Sequence, residues 1–378
     1  MITALLNARV LFDREIESDL VVLIENDTII AITDVEDKRL QNAQQHDLAG
    51  RYLLPGFIDC QVNGGGGVLF NDAPNVDTLR RIANAHRRFG TTGLLPTLIS
   101  DDTAVMRAAI DATDAAITQG VPGILGIHLE GPYLSPERKG VHNPAKFHVP
   151  DSSHIDLVCS LQTGRTLLTL APERVAPDVL RELVARGVIV AAGHTAADYA
   201  QTRAALDAGV RGFTHLFNAM TPLGSREPGV VGAALEDKKS WCGLIVDGHH
   251  VHAATLRIAI AAKARGKMFL VTDAMPPVGS DDPVFYLDGE AITCRDGICA
   301  TAQGTLAGSA LDMAMALRNA VEMLGIPLAE AARMASTYPA EFLGLQQSYG
   351  RIAAGYRADL VVLNDDLSVH ETWIGGAR

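Results

Sequence analysis

The chain has 378 residues, 48% of them hydrophobic and 20% charged. That is enough to bury a large core with a smaller domain beside it, and it excludes a disordered chain. The formal net charge of -12 argues against a nucleic-acid or anionic-membrane partner, although a local basic pocket can still hold one phosphate. Five cysteines (Cys60, Cys159, Cys242, Cys294 and Cys299) form no CxxC pair and read as reduced, mostly buried thiols. The opening Met1-Ile2-Thr3-Ala4 lacks the basic and apolar stretches of a signal peptide, and no apolar run is long enough to cross a bilayer. A cytoplasmic location is expected.

Residues 1 to about 52 alternate in short β-like runs, Ala4 to Phe12, Asp19 to Ile24 and Thr28 to Ile32, separated by turn-formers such as Glu25-Asn26-Asp27. Strand-like segments return at Arg357 to Leu363 and Glu371 to Gly375. Chain ends commonly lie close together, so a small β-sandwich domain formed from both termini, 1–52 plus 345–378, is expected.

Between these ends, apolar strand-like runs alternate with helical stretches, as βα units with a parallel sheet require. The strands are expected at Leu54 to Asp59, Thr92 to Ile99, Ile124 to Leu129, Leu167 to Ala171, Val188 to Ala192, Gly212 to Leu216, Cys242 to Val246 and Met268 to Thr272. Helices fall between most of them, including Val76 to Phe89, Asp178 to Arg186, Ala197 to Ala208 and Ala253 to Arg265, and two more follow at Ala310 to Leu324 and Leu328 to Met334. Eight strands in this rhythm predict an α/β fold, a (β/α)8 TIM-type barrel over 53–344. Hairpin-like runs around Asp288-Gly289 and Asp296-Gly297 interrupt it and predict a β insertion at about 283–306.

Polar residues collect at the C-terminal ends of these strands, the mouth at which barrels build active sites. Asp59, Gln61 and Asn63 follow the first strand, and Glu130 ends the third. His194, His215, then Asp247 with His250, and finally Asp273 end the fifth to eighth. A single strand-end histidine is more often structural than a ligand. Six strands placing polar groups at one end are harder to dismiss. A carboxylate that closes a buried strand, as Glu130 does before Gly131-Pro132, needs a positive partner. Glu130, His194 and His215 make a two-nitrogen, one-oxygen set for one divalent ion with an open position for water, Zn2+ foremost and Fe2+ the alternative. Asp273 suits the general base and acid, against a bland reading as a turn residue.

The segments Leu54-Pro55-Gly56-Phe57-Ile58-Asp59, His128-Leu129-Glu130-Gly131-Pro132, Ala192-Gly193-His194-Thr195, Thr214-His215-Leu216-Phe217-Asn218-Ala219-Met220 and Leu270-Val271-Thr272-Asp273-Ala274 resemble the amidohydrolase superfamily. Within it they look like the N-acetylglucosamine-6-phosphate deacetylase family, and the likeness covers nearly the whole chain. It implies metal ligation by Glu130, His194 and His215, with Asp273 catalytic. It further implies substrate contacts from Asn218, Ala219, Arg226 and His250, from Val141 and His142 in Lys139-Gly140-Val141-His142-Asn143-Pro144, and from the backbone of Leu306-Ala307-Gly308-Ser309. In that family the arginine at the Arg226 position reaches the neighbouring subunit's site, which implies a homodimer, with a dimer of dimers left open. Most amidohydrolases carry His-x-His after the first strand; here the positions are Gln61-Val62-Asn63, and the branch with this substitution uses a single metal. The expected reaction is metal-dependent deacetylation of N-acetyl-D-glucosamine 6-phosphate. The alternatives are the galactosamine epimer or another N-acyl substrate and, outside enzymes, a catalytically silent barrel with an assembly role.

Overall fold

A computed structural model describes residues 1–378. Both ends of the chain enter one mixed sheet. Its strands are Ile2–Phe12, Glu15–Glu25, Thr28–Thr33, Gln44–Asp47 and Tyr52–Pro55 from the N-terminal end, and Leu360–Leu363 and Val369–Trp373 from the C-terminal end. Ile2–Phe12 is long enough to pair with Gln44–Asp47 along one half and Tyr52–Pro55 along the other, both parallel. Period-2 alternation gives the sheet two apolar faces. Leu5, Val22, Ile24 and Leu53 pack together in one cluster, and Ala4, Val21, Leu23 and Leu40 in another.

Tyr52–Pro55 pairs with Leu360–Leu363, so Leu54 belongs to this sheet and not to the first barrel strand, which is Phe57–Val62. The expected strand from Leu54 to Asp59 is therefore two strands. Gly56 makes the crossing: a Cβ there would lie 2.1 Å from the Thr92 side chain, a separation only a glycine tolerates.

Eight parallel strands follow in sequence order: Phe57–Val62, Thr91–Ile99, Gly126–Glu130, Arg165–Leu170, Ile189–Ala192, Gly212–Phe213, Trp241–Leu244 and Met268–Leu270. The barrel closes through a parallel bridge between Val62 and Ala274 and through Asp59. The buried Asp59 carboxyl accepts from the Thr272 hydroxyl at 2.5 Å and from the Gln61 and Thr272 amides. Burial pushes that carboxyl up to about 7. Helices Val76–Arg87, Pro177–Ala185, Tyr199–Asp207, Ala253–Ala262, Met313–Glu322 and Leu328–Ala335 lie close to the expected positions. Thr103–Thr118, Ser152–Val158, Gly229–Glu236 and Thr337–Phe342 complete the α-helical set.

After the eighth strand come Val284–Leu287, Glu290–Arg295, Ile298–Ala300 and Leu306–Ser309, a four-stranded sheet in sequence order. Asp288 and Gly289 have φ of 48° and 80°, and Asp296 and Gly297 have 51° and 82°. These are left-handed pairs, as tight two-residue hairpins require. The second turn sets Cys294 directly opposite Cys299, and the two form a disulfide with Cα atoms 4.0 Å apart. This corrects the reading of all five cysteines as reduced: cross-strand register brought two of them together. The other three remain free.

His86, fully buried on the first barrel helix, has its Nε2 2.9 Å from the Gly64 carbonyl and no partner at Nδ1. Burial lowers its pKa from 6.5 to about 4. Between those values the unfolded chain binds the proton and the folded one does not, so stability falls as pH drops through that window. Replacing His86 with Gln should flatten the fall in unfolding midpoint between pH 6.5 and pH 4, a change on the order of 3 kcal/mol. An unchanged slope in the variant would remove His86 from the account.

Candidate active site

The strand ends meet around a cavity of about 290 Å3. Glu130 closes the third strand with 2% exposure. Its Oε1 lies 3.0 Å from His215 Nε2 and 3.3 Å from His194 Nε2, and the two Nε2 atoms are 3.1 Å apart. The three ligand atoms fall within 4.8 Å of one another. His194 donates from Nδ1 to the Arg138 carbonyl at 2.9 Å, which leaves the Nε2 lone pair turned to the shared point. Burial pushes the Glu130 carboxyl up, but the facing His194 and His215 outweigh it and hold it well below its usual range. A dry carboxylate and two imidazole nitrogens converging on one point fit a divalent cation.

Backbone geometry holds these groups in place. His194, His215 and Asp273 have φ of 47°, 32° and 54°, and Phe217 and Ala219 are also left-handed. Non-glycine residues rarely adopt this region, at a cost of about 1–3 kcal/mol each, and it persists where the surroundings fix it. His194, His215 and Asp273 each follow a strand end and line the cavity.

Asp273 sits beside the cluster. Its Oδ1 accepts from Gln61 Nε2 at 3.1 Å and Asn63 Nδ2 at 2.6 Å. Burial and, after it, the Glu130 charge push its pKa up to about 6, near the range in which a carboxyl can both take and return a proton at neutral pH. The Gln61 amide also donates to both Glu130 oxygens at 3.1 Å. Its nitrogen therefore lies among three carboxylate oxygens, donating to acceptors that a second cation would otherwise hold.

The cavity is also lined by Asn63, Val141, His142, Asn218, Ala219, His250, Leu306 and Gly308. His142 pairs through Nδ1 with the Ser100 hydroxyl at 2.9 Å and packs against His194 at a 60° tilt with ring centroids 4.4 Å apart. Gln61 lies beneath the floor. Ala307 and Ser309 are buried behind the wall, where Ser309 donates to the Thr272 carbonyl. Arg226 stands exposed on the loop before Gly229–Glu236 and makes no side-chain hydrogen bond or ion pair within the chain. The lining contains four histidines but no lysine or arginine. Sequence reasoning missed Ile99, Ile245, Met275 and Thr305, which also line it. The three apolar ones look like any core residue at a strand end.

The Amidohydrolase family model matches residues 52–378. A Shewanella sp. (strain ANA-3) protein named N-acetylgalactosamine-6-phosphate deacetylase is 48% identical over 326 residues, covering 86% of this chain and 82% of that one. A Haemophilus influenzae protein named N-acetylglucosamine-6-phosphate deacetylase is 35% identical, with 99% and 98% covered. The crystal structure of N-acetylglucosamine-6-phosphate deacetylase from Pasteurella multocida superposes with a TM-score of 0.96 at 36% identity, over 100% of this chain and 99% of that one.

Proposed function

The chain belongs to the amidohydrolase family, and from that premise we propose that it hydrolyses the N-acetyl group of N-acetyl-D-glucosamine 6-phosphate to give D-glucosamine 6-phosphate and acetate. The observation that carries this reading is the convergence of Glu130, His194 and His215 beside a separate buried carboxyl, Asp273. Glu130, His194 and His215 would hold one divalent ion, Zn2+ by ligand type. When bound, such an ion acidifies a water and polarises the acyl oxygen.

The chain's own residues handle the proton. Gln61 and Asn63 occupy Oδ1 of Asp273, so Oδ2 is the atom left to take a proton from the attacking water. As the C–N bond breaks, the same oxygen returns that proton to the departing amine. The apolar lining from Ile99, Ile245 and Met275 suits the acetyl methyl. The three hydrogen bonds from Gln61 to Glu130 and Asp273 support a single-ion site.

The absence of any lysine or arginine from the lining supports a phosphate contact supplied from outside the protomer. Arg226 is the candidate: it is exposed and unpaired, and its planar fork matches a phosphate. In a homodimer each subunit would complete its neighbour's site. Arg226→Ala should raise KM roughly 10–100-fold with kcat largely kept, the effect of losing one charge-assisted contact that binds without reacting. Mixing R226A subunits with D273N subunits should restore low-KM activity, because the hybrid holds one complete site. Mixed and unmixed samples behaving alike would sink the shared-site arrangement.

The 48% identity to the Shewanella protein favours a second reading, N-acetylgalactosamine 6-phosphate as the preferred epimer. Acetate release from both sugar phosphates, compared as kcat/KM, decides between them, and elemental analysis of the same sample identifies the ion. No acetate from either would overturn the enzyme reading and revive an assembly role. No helix is long and apolar enough to cross a membrane, which accords with the cytoplasmic location we propose.

A further inference from the structure

The opposite end of the barrel carries a groove of about 580 Å3, twice the volume of the cavity at the mouth. It lies where Arg211 precedes the sixth strand and Trp241 begins the seventh, beside the C-terminal ends of helices Tyr199–Asp207 and Gly229–Glu236. Its walls carry four cationic side chains, Arg203, Arg211, Lys238 and Lys239, against two carboxylates, Asp207 and Asp237. An excess of positive charge is unusual on a chain whose net charge is -12.

The local demands for positive charge are already met. Arg203 pairs with Asp237 at 3.1 Å. The buried Lys263 donates to the Ala234 and Asp237 carbonyls at the end of Gly229–Glu236 and to Ser240 Oγ. The Gly209 and Val210 amides cap the end of Tyr199–Asp207 through the Leu206 and Ala205 carbonyls. Arg211, Lys238 and Lys239 are therefore surplus, and none of them has a carboxylate partner. Two lining side chains also hold buried N–H groups with no acceptor, at Arg211 Nε and Trp241 Nε1. Donors without acceptors beside cations without anions are what an absent anion leaves behind.

The walls are set before any ligand arrives. Asp237 Oδ1 accepts from the Lys239 and Ser240 amides at 2.9 and 2.7 Å, which fixes the loop that bears both lysines. Arg211 donates from Nη2 to the Glu341 carbonyl at 2.8 Å and lies over the Trp241 ring, 4.7 Å from its centroid. Lys267 lies over the same ring at 3.2 Å. With cations already on the indole, recognition here falls to charge and not to base stacking. We propose that this groove is a second ligand site, which binds a phosphate group through Arg211, Lys238 and Lys239. None of its residues lines the cavity at the mouth, so its ligand is distinct from a molecule being hydrolysed there, whatever that molecule is.

The chain has two tryptophans, and the other, Trp373, ends a strand of the small β domain. In W373F, indole fluorescence therefore reports on Trp241 alone. Inorganic phosphate and glucose 6-phosphate, titrated separately at constant ionic strength, distinguish the free ion from a sugar ester. At least one should give a saturable change, half-complete below about 1 mM, and the tighter of the two names the source. Lys238→Ala with Lys239→Ala removes two exposed charges that pair with nothing in the chain, and it should raise that concentration about tenfold with the thermal midpoint unchanged. The parent labelled with 5-fluorotryptophan avoids any effect of W373F on folding: of its two fluorine-19 resonances, one should move with the ligand and stay in place in the double lysine variant. No saturable response to either probe up to about 10 mM would overturn the site. An equal response to sodium chloride, or a double variant that saturates like the parent, would do the same.

Discussion

Replacing Asp273 with Asn should lower kcat by about 10²–10⁴-fold, the span over which a positioned general acid–base acts, while leaving the metal content of the purified protein at the parent value. Asn matches the shape of Asp and still offers an oxygen to Gln61 and Asn63, which now hold Oδ1 at 3.1 and 2.6 Å. The network beneath the cavity therefore survives. What disappears is the second oxygen, the one atom of this residue with no partner in the chain and free to move a proton. Folding should not suffer. The carboxyl is already pushed up to about 6 by burial and by Glu130, so removing its charge relieves a cost. Acetate-release kinetics, elemental analysis and a thermal midpoint on the same preparation make the test. A variant whose kcat stays within tenfold of the parent would move the proton transfer to another group, and His250 would be the first to examine.

Much of this site was legible in the residue order because buried parallel strands write themselves as apolar runs, and a polar residue that ends one stands out against them. Glu130, His194, His215 and Asp273 stand out in this way. What the residue order hid has three physical sources. Tyr52–Pro55 and Phe57–Val62 are one apolar run to the eye; only the collision a Cβ at Gly56 would make with Thr92 divides the run between two sheets. The sixth strand is just Gly212–Phe213, because the backbone turns left-handed at His215, a conformation dictated by the fold around it and not by local propensity. Gln61 reads locally as a poor ligand, and only the fold shows it donating to two carboxylates at once. The Cys294–Cys299 bridge, by contrast, could have been read: an Asp296-Gly297 two-residue turn makes those cysteines opposite partners by simple counting.

Glu130→Gln separates ligation from chemistry. The substitution removes the one formal charge from the ligand set and keeps its shape, leaving His194 and His215 to hold an ion with two neutral nitrogens. Loss of an outer partner of a metal ligand typically weakens affinity 10–100-fold, and losing the anionic ligand itself should exceed about 10²-fold. The gel-filtered variant should therefore emerge with little metal and little activity, the reverse of D273N, which keeps its metal. A second readout does not depend on turnover. Glu130 is 2% exposed, and without a cation its charge rests on hydrogen bonds from His194, His215 and Gln61. After exhaustive chelation, adding Zn2+ should raise the parent's midpoint and barely move that of E130Q. The opposite pattern, full metal content and a normal Zn2+ shift in E130Q with activity lost, would take Glu130 out of the ligand set and give it a role in proton transfer.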